Sequence, residues 1–274
     1  MSIFNDISIC IVTYKTNNNI YKCLKNVIRF KKIFLLDNSF DINFKKIIKK
    51  KYKKINFFLS KKNLGYGTGN NFLLKKVVSK YVLILNPDAI LKLNSIRKLY
   101  KEAELLNSNF GVICPTYKIN RFKKEKLTEV QKSEFAAPLI NQVEFRKINF
   151  FDSNIFFYYE DYDACYRLKK NGKKNYIHNF AKLYHLGGKS SNTNSYDKLR
   201  NFHWGWSTFY FYKKHYGWVI ALIISFFYSV RSFLKSTFVL IIEANKKKAK
   251  NLLLQISGIF HGIFEKKDFF RKIY

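Results

Sequence analysis

The chain is poor in proline, glycine and acidic residues. Its 274 residues include 3 Pro and 11 Gly, which excludes collagen-like and other low-complexity classes. Only 18 Asp and Glu stand against 51 Lys and Arg, so the formal net charge is +33. With 47% hydrophobic and 18% aromatic residues, the chain can bury a sizeable core, and general disorder is excluded. This length allows one large domain, or one domain with an appendage.

Cysteine is also scarce, and its four copies are widely separated. No C-x-x-C pair is present and no histidine lies at metal-ligand spacing from a cysteine, so neither a disulfide framework nor a structural zinc site is expected. The chain starts without a basic segment or an apolar segment, so no secretory signal is predicted. A reducing, cytoplasmic location fits both observations. The cysteines are Cys10, Cys23, Cys114 and Cys165.

The basic charge has more than one interpretation. Lysines release counterions when they contact nucleic-acid phosphates, but no recognition helix, zinc knuckle or aromatic ribonucleoprotein motif accompanies them. Lys, Asn, Ile, Phe and Tyr, which have AT-rich codons, are over-used together, so mutational bias also explains the charge. The basic run Lys45–Lys54 is typical of the end of an amphipathic surface helix. Nucleic-acid binding is therefore not expected, and attraction to anionic lipid headgroups is favoured over it.

The first half of the chain alternates short apolar runs with segments of helical spacing. This β-α-β-α-β-α-β order predicts an α/β fold whose Rossmann-like, nucleotide-binding half has parallel strands and helices on both faces. After Gly111 the strands shorten, which indicates a mixed central sheet. The predicted strands are Ile7–Val12, Ile33–Leu36, Ile55–Leu59 and Tyr81–Leu85, and the predicted helices include Asn19–Phe30 and Thr68–Ser79.

Polar clusters follow all four predicted strands. In open parallel sheets, ligands bind beyond the carboxyl ends of the strands, so these clusters predict one pocket. The third cluster carries glycines that let the backbone approach a ligand. Its G-x-G-x-G spacing after the third strand differs from the dinucleotide fingerprint G-x-G-x-x-G after the first strand. The clusters are Thr13–Tyr14, Asp37–Ser39, Asn63–Asn71 and Asn86–Asp88.

Two isolated residues are candidate metal ligands. Asp88 ends an apolar strand, and its carboxylate suits Mg²⁺ or Mn²⁺, although an Asp in this position also commonly starts a turn or caps a helix. His185 is followed by two glycines and two serines, which suits a loop that contacts phosphate or metal; a packed surface histidine is the alternative.

A dense acidic cluster follows an aromatic run. Glu160, Asp161 and Asp163 begin a predicted helix that extends to Lys170, with Gly172 just past its end. One carboxylate could serve as a general base, semi-buried against the aromatic residues. The alternative is that acidic residues balance the helix dipole, with Asp163 and Arg167 forming an i,i+4 pair. Both interpretations stay open, because the dipole lowers a carboxyl pKa and burial raises it.

The character of the chain changes at Tyr216. The uncharged stretch from Tyr216 to Val230 is interrupted by Arg231 and Lys235 before it reaches the ~20 residues that span a bilayer. Small residues recur at helical spacing on one face and permit close helix packing. Residues 216–274 are therefore predicted to be a helical appendage that lies on a membrane or packs against a partner, including a second copy. The small residues are Ala221, Ser225, Ser229, Ser232 and Ser236.

Taken in order, six of these motifs resemble those of the family 2 inverting glycosyltransferases of the GT-A fold, especially the bacterial rhamnosyltransferase-like branch. The resemblance covers roughly residues 7 to 215 and makes 1–215 the predicted catalytic domain. Two segments depart from the family pattern: Asn149–Asp152 replaces a G-G-F-D turn, and Phe135–Pro138 matches poorly. The six motifs begin at Ile11, Asp37, Asn63, Leu85, Glu160 and His185.

The resemblance implies roles for individual residues. Asp88 takes the place of the metal-binding Asp of the D-x-D motif, in which Asn86 replaces the first Asp. Asp161 takes the place of the catalytic base, with Glu160 as a supporting residue. His185 takes the place of a residue that contacts the metal or the diphosphate. The implied contacts to the nucleotide sugar are Thr13, Tyr14, Asp37, Asn38, Gly65, Tyr66, Gly67, Asn70 and Asn86.

The implied activity is metal-dependent, inverting transfer of rhamnose or a hexose. The donor would be dTDP- or UDP-linked, and the acceptor a hydroxyl of a surface glycan or a lipid-linked glycan at the inner face of the cytoplasmic membrane. A sugar-phosphate nucleotidyltransferase is the first alternative, although the chain lacks the glycine-rich loop expected after its first strand. A non-catalytic basic scaffold that binds membrane or nucleic acid is the second.

Overall fold

The computed structural model describes residues 3–16, 18–119, 124–185 and 194–264. The chain divides into two compact units. The first consists of Met1–Ser153 and Asp161–Asn192, and the second of Asn154–Glu160 and Thr193–Tyr274. The predicted domain boundary after residue 215 stays a prediction. It falls within the helix Asn194–Tyr216, which belongs to the second unit.

Within the described residues, nine strands form one sheet in the first unit. The strands are β1 Ile7–Thr13, β2 Lys32–Asp37, β3 Ile55–Leu59, β4 Tyr81–Leu85, β5 Ala89–Leu91, β6 Phe110–Thr116, β7 Leu127–Glu129, β8 Leu139–Asn141 and β9 Lys174–His185. The helices are α1 Ile3–Asp6, α2 Asn19–Val27, α3 Ile42–Lys51, α4 Gly65–Leu74, α5 Leu93–Leu106, α6 Gln142–Lys147, α7 Glu160–Lys170, α8 Asn194–Tyr216, α9 Trp218–Ile241 and α10 Lys246–Ile263.

The sheet is mixed, as predicted, with the order β3-β2-β1-β4-β8-β6-β9-β5 and β7 paired to β9. Strands β1 to β4 are parallel, whereas β8 runs antiparallel to β4 and to β6. The register places Thr13 beside Asp37 and Ile11 beside Leu85. The carboxyl ends of β1, β2 and β4 therefore meet at one edge, and the polar clusters follow them there.

The core consists of two apolar clusters. Alternation along β1 sends Ile7, Ile9 and Ile11 into one cluster and Cys10 into the other. Strands β1 and β4 are buried along nearly their whole length, which accounts for their largely apolar sequences. All four cysteines are free and buried.

Helix α4 differs from its predicted range of Thr68–Ser79. It begins at Gly65, whose φ of 75° suits glycine and whose N–H donates to Asn63 Oδ1 at 3.0 Å. It ends at Leu74, where Lys76 N–H bonds to Leu73 O at 2.9 Å and tightens the last turn. The glycine-rich motif is therefore the first turn of the helix and not a loop before it.

Helix α7 has its predicted bounds and its predicted ion pair. Gly172 has a φ of 71°, and its N–H bonds to Lys169 O at 2.9 Å while Lys173 N–H bonds to Leu168 O at 3.0 Å. These two bonds form a Schellman motif, for which glycine is preferred. Asp163, which is 0% exposed, pairs with Arg167 at 2.6 Å, so this carboxylate has a structural role.

The second unit is built on helices α8 to α10, which pack through small residues. A Cβ atom on Gly205 would lie 1.8 Å from Gln255 O, and one on Gly258 would lie 2.0 Å from Phe202 O. Only glycine therefore permits α8 and α10 to approach so closely. Helix α9 is long and apolar enough to cross a membrane by length and composition.

Candidate active site

The first part of the site is a buried carboxylate at the end of β2. Asp37 is 1% exposed, and its Oδ1 accepts a hydrogen bond from Thr13 Oγ1 at 2.9 Å. Its Oδ2 accepts from the backbone N–H of Asp41 at 2.9 Å, and Ser39 Oγ also donates to the carboxylate. These bonds fix the carboxylate at the sheet edge. Half-buried Tyr14 follows Thr13 directly.

The first turn of α4 packs tightly against the ends of β1 and β2. A Cβ atom on Gly69 would lie 3.0 Å from Val12 Cγ1 and 3.2 Å from Asn38 Nδ2, so a larger residue would displace one of them. Asn38 Nδ2 donates to Gly65 O at 3.1 Å. Gly67 is buried in the same turn, and Tyr66 OH donates to Phe135 O at 2.5 Å. The structure therefore brings these predicted residues together.

Four buried polar atoms at this edge have no hydrogen-bond partner among the described residues. A buried polar atom left unpaired costs about 1–3 kcal/mol, so such atoms usually meet a ligand or water. Asn70, which is 0% exposed, uses its Nδ2 on Tyr66 O but leaves its Oδ1 unpaired. The unpaired atoms are Asn38 Oδ1, Asn63 Nδ2, Asn70 Oδ1 and Asp88 Oδ2.

Asp88 and His185 form a pair at the end of β4. Antiparallel pairing of β5 and β9 places Ala89 opposite His185, which brings the two side chains together. Asp88 is 2% exposed, and its Oδ1 lies 3.0 Å from His185 Nε2. Half-buried Asn86 is held nearby through its N–H bond to Ala136 O at 2.9 Å.

The pair fits a divalent cation. Octahedral Mg²⁺ or Mn²⁺ with ligands at about 2.1 Å sets neighbouring ligand atoms about 3 Å apart, which matches the separation of Asp88 Oδ1 and His185 Nε2. The unpaired Asp88 Oδ2 offers a further ligand atom. No group of three or more His, Cys, Asp or Glu side chains that could hold a metal is found in the described segments.

The carboxyl of Asp161 has a strongly raised pKa. Burial raises the pKa of Asp161 to about 7, against the lowering effect of N–H donors from Tyr162 at 2.8 Å and Phe135 at 3.3 Å. The negative charge of Glu134 raises this pKa as well. Burial thus outweighs the hydrogen bonds at the start of α7, and the group can take up or release a proton near neutral pH.

Tyr117 contacts His185 and Glu134, and the sequence did not predict it as a site residue. Its ring stacks on that of His185 with centroids 6.0 Å apart, and its hydroxyl bonds to Glu134 Oε2 at 3.1 Å. Tyr117 thus contacts both His185 and Glu134, and the negative charge of Glu134 raises the pKa of Asp161. The predicted supporting residue Glu160 is buried and belongs to the second unit.

Comparisons with known proteins identify the family of the chain. The profile of the family described as "Glycosyl transferase family 2" matches residues 8–167. The chain is 24% identical over 199 residues to the low-salt glycan biosynthesis hexosyltransferase Agl10 of Haloferax volcanii. That match covers 62% of this chain and 63% of the relative, so the chain spans less than two thirds of the relative's length.

Solved structures show the same fold. The match to S. aureus TarS has a TM-score of 0.54 at 15% identity and covers 96% of this chain and 73% of that one. The match to the mannosyltransferase PcManGT from Pyrobaculum calidifontis, solved with GDP-Man and Mn²⁺, has a TM-score of 0.61 at 8% identity and covers 95% and 88%. The predicted GT-A architecture is confirmed.

Proposed function

The chain belongs to glycosyl transferase family 2, and on that premise we propose that it transfers a sugar from a nucleoside-diphosphate sugar to an acceptor hydroxyl with inversion at the anomeric carbon. The observation that carries the proposal is that Tyr117 contacts both His185, the partner of Asp88, and Glu134, whose negative charge raises the pKa of Asp161. A group that suits a diphosphate-bound cation and a group that suits proton transfer thus belong to one site.

The donor is proposed to occupy the edge formed by β1, β2 and the first turn of α4. Asp37, held by Thr13, is placed to accept hydrogen bonds from the nucleoside, with Tyr14 beside it. The unpaired oxygens of Asn38 and Asn70 would accept hydrogen bonds from the sugar or ribose hydroxyls. We propose a dTDP- or UDP-linked rhamnose or hexose, with Gly65, Tyr66, Gly67 and Asn86 as the remaining contacts.

Asp88 and His185 are proposed to hold the divalent cation, Mn²⁺ or Mg²⁺. The cation, when bound, supplies positive charge that neutralises the departing diphosphate. Asp88 would offer its unpaired Oδ2, and His185 its Nε2, which lies 3.0 Å from Asp88 Oδ1. The mannosyltransferase neighbour solved with GDP-Man and Mn²⁺ supports this proposal.

Asp161 is proposed to be the general base. As the acceptor hydroxyl oxygen attacks the anomeric carbon, its proton passes to the Asp161 carboxylate, the new C–O bond forms, and the bond to the diphosphate oxygen breaks. This single displacement from the opposite face inverts the centre. A pKa of about 7 lets the carboxylate accept the proton near neutral pH and later release it to water.

The acceptor is proposed to be a surface glycan or a lipid-linked glycan. The curated relative is named for glycan biosynthesis, which supports this acceptor class. The first segment of the second unit, Asn154–Glu160, ends one residue before Asp161 in the chain. Within that unit, residues around Tyr158 and Arg200 form a cleft of ≈ 230 Å³.

A thermal-shift panel tests the donor proposal. Ligand that binds only the folded protein stabilises it by about 2.7 kcal/mol at a hundred times Kd. We expect UDP or dTDP to raise Tm only with Mn²⁺ or Mg²⁺, and Asp88→Asn to abolish the rise because it weakens the metal ligand. Asp197→Asn, an exposed aspartate of the second unit, should keep it. If only GDP raises Tm, the nucleotide proposal is wrong; salt-sensitive RNA binding without any nucleotide shift would favour the scaffold.

The pH profile of turnover tests the role of Asp161. Because only its ionised form accepts a proton, kcat/KM should rise with pH through about 7. Glu134→Gln removes a nearby negative charge and lowers the pKa of Asp161, so the midpoint should move to lower pH. Glu129→Gln, which breaks an exposed pair with Lys174, is the control and should leave the midpoint in place. An unmoved midpoint in Glu134→Gln would contradict this assignment.

A further inference from the structure

Helix α9 buries small or hydroxylic residues and exposes large apolar ones, which is the reverse of the usual pattern in a water-soluble helix. Four of its five buried residues are small or hydroxylic: Ala221, Ser225, Ser232 and Ser236 are all at most 5% exposed, and Val239 is the fifth. Its large apolar side chains point outward along both exposed flanks, and Phe226 and Phe227 are each 64% exposed. Proteins rarely leave a contiguous apolar surface of this extent in water, so it marks an interaction site.

The interior of the second unit does not need these apolar side chains. Ser232 Oγ donates to Gln255 Oε1 at 2.9 Å, and Gln255 Nε2 donates to Asn201 Oδ1 at 2.8 Å, which links all three helices. Gly205 and Gly258 allow the close approach of α8 and α10. Small residues and side-chain hydrogen bonds at helix interfaces, with bulky apolar residues outside, are typical of proteins that face lipid.

The positive charge of the second unit indicates that it binds anionic lipid. Residues 194–264 contain ten Lys and Arg against two Asp and Glu. Arg231 and Lys235 lie one turn apart and are both exposed. At 3.6 residues per turn they fall between the serine stripe and the apolar face, where they can meet lipid headgroups. A basic flank beside an apolar face is complementary to an anionic bilayer surface.

The position of Arg231 along α9 indicates how this helix is oriented relative to the bilayer. The 24 residues of α9 extend ~36 Å, and Arg231 lies near their midpoint. A spanning helix would place its guanidinium at the bilayer centre, which is strongly unfavourable. A helix lying in the plane of the interface keeps Arg231 and Lys235 among the headgroups while its apolar face enters the acyl boundary.

We propose that α9 lies in the plane of an anionic phospholipid bilayer and attaches the protein to it. This inference does not depend on the proposed transfer reaction. The anionic cytoplasmic leaflet is the surface with the complementary charge, so the attachment places the protein at the inner face of the cytoplasmic membrane. A lipid-linked acceptor would be met at that surface.

Co-sedimentation of the full chain with vesicles tests the attachment. Wild-type protein should bind vesicles of phosphatidylcholine with phosphatidylglycerol, and bind vesicles of pure phosphatidylcholine several-fold more weakly. The double variant Phe226→Ser, Phe227→Ser should lose at least about tenfold in affinity, because two exposed aromatic side chains no longer enter the bilayer. Arg231→Gln with Lys235→Gln should reduce the preference for the anionic vesicles several-fold.

The matched control changes two exposed apolar residues of the first unit, Val78→Ser and Leu105→Ser, which are 86% and 68% exposed. It should bind as wild type does, and thermal unfolding should show that both serine double variants are folded. Equal binding by the phenylalanine variant, or no binding by the wild type, would overturn the proposal. A wild-type dimer that the phenylalanine variant converts to monomer, without vesicle binding, would assign the face to self-association. Resistance to alkaline carbonate extraction would overturn the in-plane orientation.

Discussion

Replacing Asp161 by asparagine should lower kcat by about 10²–10⁴-fold, because the amide cannot accept the proton of the acceptor hydroxyl. Donor binding should be retained, since Asp88, His185 and the donor edge are unchanged. Single-turnover kinetics and the thermal-shift response to nucleotide measure the two quantities separately. Wild-type turnover in Asp161→Asn would remove this residue from the mechanism and favour a different base.

The same substitution should stabilise the fold at neutral and alkaline pH. The folded pKa of Asp161, about 7, lies above the ordinary value of 3.8, so the folded state disfavours the ionised form. Wild-type stability therefore falls as pH rises from about 4 through 7, and the Tm advantage of Asp161→Asn should be full above pH 7 and absent near pH 4. Asp163→Asn, in the same helix, should lower Tm because it leaves Arg167 without its buried partner.

Replacing Gly258 by alanine should destabilise the second unit. The added Cβ would lie 2.0 Å from Phe202 O and 2.9 Å from Trp206 N, so the backbones of α8 and α10 must separate. Overpacking of this kind costs about 1–3 kcal/mol, whereas the higher helix propensity of alanine contributes ~1 kcal/mol in the opposite direction. We expect the packing cost to be the larger of the two, so Gly258→Ala should lower Tm. Ser257→Ala, one position earlier, is the control. Equal thermal stability of the two variants would show that the close helix approach is wrong.

The strands of the first half could be predicted because buried parallel strands appear as apolar runs. Ile55–Leu59 and Tyr81–Leu85 agree with the structure residue for residue, and the pair of Asp163 with Arg167 follows from helical spacing alone. The polar clusters could be assigned to one edge by the same logic. The start of α4 could not, since it depends on the bond between Gly65 N–H and Asn63 Oδ1.

Contacts between distant segments could not be predicted from the sequence. Tyr117 reaches His185 and Glu134 from the end of β6, and no spacing rule links residues from three separate segments. The serine stripe of α9 shows a related limit. Helical periodicity identified residues that share a face, but only the structure shows that Ser232 and Ser236 bond within the unit and that the apolar face is the exposed one.

The proposed reaction depends on Asp88 and His185 holding the cation at the diphosphate of the donor. Anomalous X-ray scattering from crystals grown with Mn²⁺ and UDP or dTDP measures this directly. We expect one manganese peak at about 2.0–2.3 Å from an Asp88 carboxylate oxygen and from His185 Nε2, in contact with the diphosphate. Nucleotide bound with no manganese at Asp88, or manganese held by other residues, would contradict it.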